Sequence, residues 1–244
     1  MRISRIYLPQ PLHSGATLQL PEVAANYLLK VLRLRPGDAV TLFNGEGGEY
    51  RAVIIEADKR RVAVRVDEFS NREAESPLQI ILAQGISRGE RMDYTLQKAV
   101  ELGVTQIIPL HTERTVVQLK GDKPEKRRAH WQGVVASACE QCGRNRVPPV
   151  AEIQTLTEWL PQVDPGALRL VLHHRAERGL KTLPAPGGPL IMLIGPEGGL
   201  SPQELTAACE AGFAPLCLGA RILRTETAAV AALAAFQTLW GDFG

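Results

Sequence analysis

The alternation of short apolar segments with helical patterns after Pro77 constrains the fold of this chain more than any other feature. Five segments have the length of strands, namely QIILAQGI, VTQIIPL, LRLVLHH, PLIMLIG and APLCLG. PLIMLIG contains no polar residue, which is typical of a strand covered on both faces. Helical spacing separates the strands, for example from Met92 to Val100. Strands that alternate with helices predict an α/β fold with a mostly parallel sheet.

Helix boundaries in this region are marked by capping residues. Ser201-Pro202-Gln203-Glu204 is a capping box with proline at the first helical position, so a helix is expected to begin there. Gly212 is expected to end this helix. A final, alanine-rich helix begins near Thr225, which is a plausible N-cap.

The residues before Pro77 show a different, β-rich pattern. Three segments between residues 39 and 66, AVTLF, YRAVIIE and VAVRV, have strand length, and the valines of VAVRV alternate as in a half-buried strand. The polar stretch from Asp67 to Ser76 is interpreted as a linker. The sequence therefore predicts a small β domain over residues 1–72 and an α/β domain over residues 77–244.

The composition is that of an ordinary soluble globular protein, with 45% hydrophobic and 22% charged residues. The longest apolar stretch, from Ala228 to Phe236, is far shorter than the roughly 20 residues that span a bilayer. The first ten residues lack a cationic start followed by an apolar run, so no secretory signal is indicated. Four cysteines in 244 residues do not form a dense disulfide framework. We therefore expect a cytoplasmic protein without a membrane segment.

The basic residues are mostly arginine, although the net charge is only +2. The chain has 21 arginines and 7 lysines. Arginine pairs bidentately with phosphate and stacks on bases, which favours a nucleic-acid partner. A GC-rich genome would also enrich arginine, so the composition alone leaves both explanations open.

In parallel sheets, ligands bind at the carboxyl ends of the strands, and the turn after LIMLI is the most informative of these positions. Gly195-Pro196-Glu197-Gly198-Gly199 is neither a dinucleotide-binding G-x-G-x-x-G nor a phosphate-binding P-loop. Its three glycines allow the backbone to approach a ligand closely. A tight strand-to-helix turn that needs glycine only for its dihedral angles is the structural alternative.

The segment from Gly219 to Thr227 places two arginines, a carboxylate and two hydroxyls at a helix start. Thr225 and Glu226 suit that position as N-cap and first-turn acid. Arg221 and Arg224 do not, because a cation near a helix N-terminus is unfavourable without an anionic partner. We interpret these two arginines as functional.

The sequence does not favour a metal site. Cys139 and Cys142 have the spacing of one helical face, and no second C-x-x-C completes four zinc ligands. His173-His174 lacks the H-E-x-x-H pattern of a metalloprotease. The G-x-S-x-G pattern of serine hydrolases does not occur either.

Four motifs in this order resemble one known family. They are Glu101-Leu102-Gly103-Val104, Glu140-Gln141-Cys142-Gly143-Arg144, Gly195-Pro196-Glu197-Gly198-Gly199 and Leu218-Gly219 followed by Ile222-Leu223-Arg224-Thr225-Glu226-Thr227-Ala228. The chain is similar to the ribosomal RNA small subunit methyltransferase E family of the SPOUT class. Val31-Leu32-Arg33-Leu34-Arg35-Pro36-Gly37-Asp38 also resembles the small PUA-like domain of that family. The resemblance covers nearly the whole chain, with Asn26-Tyr27 where the family often has a histidine.

The resemblance implies a fold and an activity that periodicity does not indicate. The fold would be a SPOUT-type, mostly parallel sheet with a carboxy-terminal trefoil knot, and the protein would be a homodimer. The activity would be transfer of a methyl group from S-adenosylmethionine to N3 of a uridine in the 16S ribosomal RNA of the small subunit. The residues implied in cofactor binding are Leu172, His173, Ile194, Gly195, Pro196, Glu197, Gly198, Gly199, Leu218, Gly219, Ile222, Leu223, Arg224, Thr225, Thr227 and Ala228.

The implied chemistry suggests roles for charged residues at the two turns. N3 of uridine carries a proton at neutral pH, so a base or a cation that stabilises the uracil anion would help. We expect Arg224, or Arg221, to supply that stabilisation. Glu197 and Glu226 are candidate bases that the sequence does not rank.

RNA contacts are expected at basic residues in both domains. The candidates are Arg33, Arg35, Arg88, Arg91, Lys98, Arg144 and Arg146, with solvated surface charge as the alternative for each. Two other functions stay open. One is another SPOUT activity, on ribose 2′-hydroxyls or on transfer RNA, and the other is a non-catalytic RNA-binding assembly factor.

Overall fold

The computed structural model of the chain describes residues 3–58, 61–118 and 123–244 and divides into two compact units. The small unit comprises residues up to Glu75 together with Cys139–Val147, and the large unit comprises Ser76–Ala138 and Pro148–Gly244. Cys139–Val147 lies within the range predicted for the second domain but has its contacts in the small unit. Residues 1–2, 59–60 and 119–122 of the two predicted domains lie outside the described residues.

The small unit is built on a five-stranded sheet with the order β1-β3-β4-β5-β2. The strands are β1 (Ser4–Tyr7), β2 (Thr17–Gln19), β3 (Ala39–Phe43), β4 (Glu49–Asp58) and β5 (Arg61–Ser70). Only the β1–β3 pair is parallel, and the other three pairs are antiparallel. Val62, Val64 and Val66 are fully buried in its core, as their alternation predicts. The interpretation of Asp67–Ser76 as a linker is wrong, because β5 continues to Ser70 and the small unit extends to Glu75.

A short helical segment that the sequence does not predict packs against this core. Helix α1 (Glu22–Asn26) continues into a π-helical turn over Tyr27–Val31. Ala25 and Leu28 are completely buried against the sheet. Arg33, just after the turn, has the left-handed φ of 57° that non-glycine residues rarely adopt.

The large unit contains a six-stranded, entirely parallel sheet with the order β11-β9-β10-β6-β7-β8. Its strands are β6 (Ile80–Gly85), β7 (Val104–His111), β8 (Gln154–Thr155), β9 (Leu168–Leu172), β10 (Leu190–Ile194) and β11 (Ala214–Leu216). All five residues of β10 are buried, which confirms that the strand without polar residues is covered on both faces. The α/β fold class is confirmed, while the trefoil knot stays a prediction.

The helices connect these strands. They are α2 (Glu90–Glu101), α3 (Lys123–Cys142), α4 (Leu156–Trp159), α5 (Pro202–Glu210) and α6 (Thr225–Trp240). The capping box at Ser201 is present, with its hydroxyl accepting from the Glu204 N–H. The expectation that Thr225 is an N-cap is wrong, because Arg224 occupies that position. The Thr225 hydroxyl instead donates to a backbone carbonyl on another loop. In the described part of the chain, none of the helices has the length and apolar character that crossing a bilayer requires.

Candidate functional site

A cavity of about 770 Å³ opens at the carboxyl ends of three adjacent strands, β9, β10 and β11, within the large unit. This is the position at which parallel sheets bind ligands, and the volume suits a small organic molecule. All residues predicted to bind a cofactor line it except Thr227. These are Leu172, His173, Ile194, Gly195, Pro196, Glu197, Gly198, Gly199, Leu218, Gly219, Ile222, Leu223, Arg224, Thr225 and Ala228. The two turns singled out in the sequence therefore face one cavity.

The glycine turn after β10 is a compact loop with no room for side chains at its base. The Gly199 N–H donates to the Pro196 carbonyl at 2.9 Å, and Gly199 has a left-handed φ of 68°. A Cβ on Gly195 would lie 2.8 Å from backbone atoms of Gly199 and Leu200. The tight turn therefore requires glycine at Gly195, and the backbone of the turn lines the cavity without intervening side chains at its glycines.

Glu197 in this turn is held by the loop that follows β6. Its carboxylate accepts from the Arg88 backbone N–H at 2.9 Å and from the Arg91 guanidinium at 3.2 Å. Burial raises the pKa of Glu197, but these hydrogen bonds and the charge of Arg91 outweigh it and lower the pKa below its usual value. Glu197 is therefore ionised and a weaker base than an ordinary glutamate.

Glu226, in the first turn of α6, differs from Glu197 in its hydrogen bonding. It lines the same cavity, and its Oε2 is buried without a hydrogen-bond partner among the described residues. A buried acceptor without a donor is costly. The cavity therefore offers a place for a ligand N–H or O–H to complete this carboxylate.

Arg221 and Arg224 are exposed at the mouth of the cavity. Within the part of the chain that the structure describes, neither forms an ion pair or a hydrogen bond through its side chain. The Arg224 side chain makes no capping hydrogen bond at the start of α6 either. Both guanidinium groups are thus available to an anionic ligand.

His173, after β9, contributes a neutral imidazole to the cavity wall. Burial lowers its pKa, and the neighbouring His174 and Arg175 lower it further. Its backbone N–H donates to the Leu216 carbonyl at 2.9 Å, which joins the loops after β9 and β11. The side chain is consequently a hydrogen-bonding group without charge at neutral pH.

The predicted RNA-binding residues differ in their surroundings. Arg33, Arg35, Arg88 and Arg146 are exposed, Arg91 pairs with Glu197, and Lys98 pairs with Glu101 at 2.7 Å. Of these, only Arg91 lines the cavity. The prediction for Arg144 needs correction, because this side chain is buried. Its Nε donates to Glu75 Oε2 at 2.9 Å within the small unit, so its charge is already neutralised there.

Sequence reasoning missed Arg114, which also lines the cavity. Its guanidinium donates to the Gly198 carbonyl at 2.9 Å and so braces the glycine turn from the loop after β7. The same rule that selected the other turns, a polar residue directly after a parallel strand, would have found it.

The described residues contain no group of three or more histidine, cysteine, aspartate or glutamate side chains able to hold a metal ion. None of the four cysteines, all of which lie among the described residues, forms a disulfide. Burial, the largest cause, raises the pKa of the Cys139 thiol to about 12. Cys139 and Cys142 thus belong to the packing of a helix end.

Comparison with known proteins covers both units. Residues 74–237 match the model of an RNA methyltransferase domain, and residues 20–67 match that of an RNA methyltransferase PUA domain. The first of these models alone spans more than half of the chain.

Individual relatives match over nearly their full lengths. The chain is 35% identical to ribosomal RNA small subunit methyltransferase E of Buchnera aphidicola subsp. Schizaphis graminum, covering 99% of this chain and 98% of the relative. It is 30% identical to the Bacillus subtilis protein of the same name, with 96% of each chain covered. The crystal structure of the Neisseria gonorrhoeae protein of that name, bound to S-adenosyl methionine, superposes with a TM-score of 0.96 at 46% identity and full coverage of both chains.

Proposed function

This chain belongs to the ribosomal RNA small subunit methyltransferase E family, and from that premise we propose that it transfers a methyl group from S-adenosylmethionine to N3 of a uridine in 16S ribosomal RNA. The observation that supports this proposal best is the single cavity formed by the glycine turn and the Arg221–Ala228 segment. The specificity for uridine N3 rests on the family resemblance and on the charges at this cavity.

The residues of the cavity fit the proposed cofactor. S-adenosylmethionine is a small molecule with donor groups, a carboxylate and an apolar portion, and bound there it would supply an electrophilic methyl group. The glycine turn offers backbone atoms without side chains, Ile194 and Leu223 offer apolar wall, and Glu226 Oε2 lacks a donor. Backbone groups of the turn would bind the polar groups of the cofactor and the apolar wall its apolar portion, which leaves Glu226 Oε2 open to an N–H of the acceptor base.

The charged residues suggest how the acceptor is activated. Uridine N3 must lose a proton to become nucleophilic, and Arg224 at the mouth would stabilise the uracil anion that results. Of the two candidate bases, Glu226 is favoured over Glu197. Glu197 already accepts two hydrogen bonds and has a lowered pKa, whereas Glu226 Oε2 is unpaired.

The remaining roles extend this proposal to the whole chain. The small β domain, residues 1–72, would bind RNA, with Arg33 and Arg35 contacting phosphates, and Arg88, Arg91, Lys98 and Arg146 would add contacts. N3 lies in the Watson–Crick edge, so the target uridine must be unpaired or extruded. We also propose that the protein is a homodimer and that it acts on the small ribosomal subunit in the cytoplasm.

Tritiated methyl transfer tests this function directly. Small subunits from cells that lack the protein are incubated with it and labelled S-adenosylmethionine, and the label is mapped by nuclease digestion. Label on N3 of one uridine is expected. Label on a ribose 2′-hydroxyl or on transfer RNA would favour another SPOUT activity instead. Absence of both transfer and cofactor binding in calorimetry would favour an assembly factor.

A further inference from the structure

Gln84 is a polar residue at the end of a core strand, beneath the glycine turn. It is completely buried and pairs in register with Ile194, the residue that precedes the turn. It does not line the cavity, so the proposed reaction gives it no contact with ligand. A fully buried amide in a parallel strand requires a reason, because its desolvation is unfavourable unless its hydrogen bonds are made.

The hydrogen bonds of Gln84 form a directed chain. Its Nε2 donates to the Gly85 carbonyl at 2.9 Å and to Thr225 Oγ1 at 2.9 Å. Because a carbonyl can only accept, the atom of Gln84 that faces the Gly85 carbonyl and Thr225 Oγ1 is the amide nitrogen. Thr225 Oγ1 therefore accepts from Gln84, and its own hydrogen is directed to the Gly195 carbonyl at 2.7 Å.

This chain links three segments of the proposed site. Gln84 belongs to β6, Thr225 is the first residue of α6, and Gly195 begins the glycine turn. Gln84 Oε1 has no partner among the described residues, so the amide is held through its nitrogen alone. The backbones of β6 and the glycine turn also lie close together, since a Cβ on Gly85 would lie 2.5 Å from Pro196 N.

We propose that Gln84 is a positioning residue that fixes the glycine turn against the start of α6 by orienting the Thr225 hydroxyl. The inference rests on the proposed function, because the two segments so joined are those that would enclose the cofactor. Without the Gln84 donor, the Thr225 hydroxyl is free to rotate away from Gly195. The turn and Arg224 then lose their fixed separation, and cofactor binding weakens.

The test compares matched variants by calorimetric titration of the full-length protein with S-adenosylmethionine. Gln84→Met keeps the length of the side chain but removes the donor, and Thr225→Val removes the hydroxyl. Each is expected to weaken binding about tenfold, the effect of losing one buried hydrogen bond. Thr225→Ser retains the hydroxyl and is expected to restore binding to within about twofold of wild type.

Two controls carry the same substitutions at neutral sites. Gln79→Met changes an exposed glutamine just before β6, and Thr238→Val removes a hydroxyl that bonds only within α6. Both are expected to bind as wild type does. The double variant of Gln84 and Thr225 is expected to bind no more weakly than the poorer single variant, because both act on one chain of hydrogen bonds.

The outcomes separate this inference from the proposed function. Wild-type binding in Gln84→Met, with unchanged melting temperature, would overturn the positioning role while leaving the cofactor proposal intact. A lowered melting temperature with unchanged affinity would also overturn it, since Gln84 would then only stabilise the fold. Failure of the wild-type protein to bind S-adenosylmethionine would overturn both.

Discussion

The side chains that line the cavity carry more positive than negative charge. Arg91, Arg114, Arg175, Arg221 and Arg224 line it, against the two carboxylates of Glu197 and Glu226. Arg91 is paired with Glu197, and Arg114 is engaged with a backbone carbonyl. The remaining arginines give the mouth a positive potential that would attract a phosphate backbone.

Arg224→Ala is expected to lower kcat by about 10²–10³-fold, the usual effect of removing one group that stabilises a developing anion. The melting temperature should change little, because the Arg224 side chain makes no capping hydrogen bond and pairs with no carboxylate in the described residues. Single-turnover methyl transfer and calorimetry measure the two quantities. Full turnover in Arg224→Ala with loss in Arg221→Ala would assign the role to Arg221.

The two glutamates should respond differently to the loss of a carboxylate. Glu226→Gln is expected to lower kcat by roughly 10²–10⁴-fold at neutral pH, as expected for removal of a general base. Glu197→Gln should retain most of its turnover, because Glu197 is engaged by Arg88 and Arg91 and its lowered pKa makes it a weak base. Kinetics of both variants at one pH compare them directly, and the reverse order of effects would contradict the assignment.

Thiol reactivity should follow burial. Cys139 is fully buried with a pKa raised to about 12, whereas Cys209 is exposed. At pH 8, iodoacetamide should therefore label Cys209 and leave Cys139 unmodified in the folded protein, since only the thiolate reacts. Peptide mass spectrometry after labelling identifies the site. Rapid labelling of Cys139 under native conditions would show that this thiol is accessible after all.

Among the strands and helices, those of the large unit follow most closely from the sequence. β10 and the capping box of α5 are where composition and spacing predict them, because long apolar runs and paired capping groups are local signals. β1, β2 and the π-helical turn were not predicted. These are short, and the core packing of residues such as Leu28 decides their structure.

The candidate site was predictable in its location but less so in its contacts. The rule that ligands bind at the carboxyl ends of parallel strands selected Gly195–Gly199 and Arg224, and the structure has them lining one cavity. It could not show that the Thr225 hydroxyl bonds to Gly195, nor that Glu75 neutralises Arg144. Those contacts join residues about 30 and 69 positions apart, and sequence periodicity holds no information on such pairs.

Helix α3 offers a site for stabilisation at Gly133. This glycine lies in the helix interior, is exposed, and has no atom within 4 Å of the position that a Cβ would take. Gly133→Ala should raise the free energy of unfolding by about 0.5–1 kcal/mol, because alanine loses less backbone entropy in a helix. Urea denaturation measures the change. The matched variant Gly85→Ala should destabilise instead, since its Cβ would meet Pro196.

For the chain as a whole, the division into two units separates chemistry from RNA anchoring in the proposed function. The large unit contains the cavity, and the small unit contains exposed basic residues such as Arg33 and Arg35. Contacts from the small unit would raise the affinity for RNA without changing the rate of the methyl transfer step. Their removal should therefore act on RNA binding and leave cofactor binding unchanged.

The salt dependence of RNA binding tests this separation. Arg33→Gln with Arg35→Gln should reduce the slope of log K against log salt by about 1.4–1.8, since each phosphate contact contributes about 0.7–0.9. Arg51→Gln, an exposed arginine on β4 of the same unit, is the control and should leave the slope unchanged. Arg144→Gln should lower the melting temperature instead, because Glu75 would lose its buried partner. An unchanged slope in the double variant would place the RNA contacts elsewhere, on Arg88, Arg146 or the mouth of the cavity.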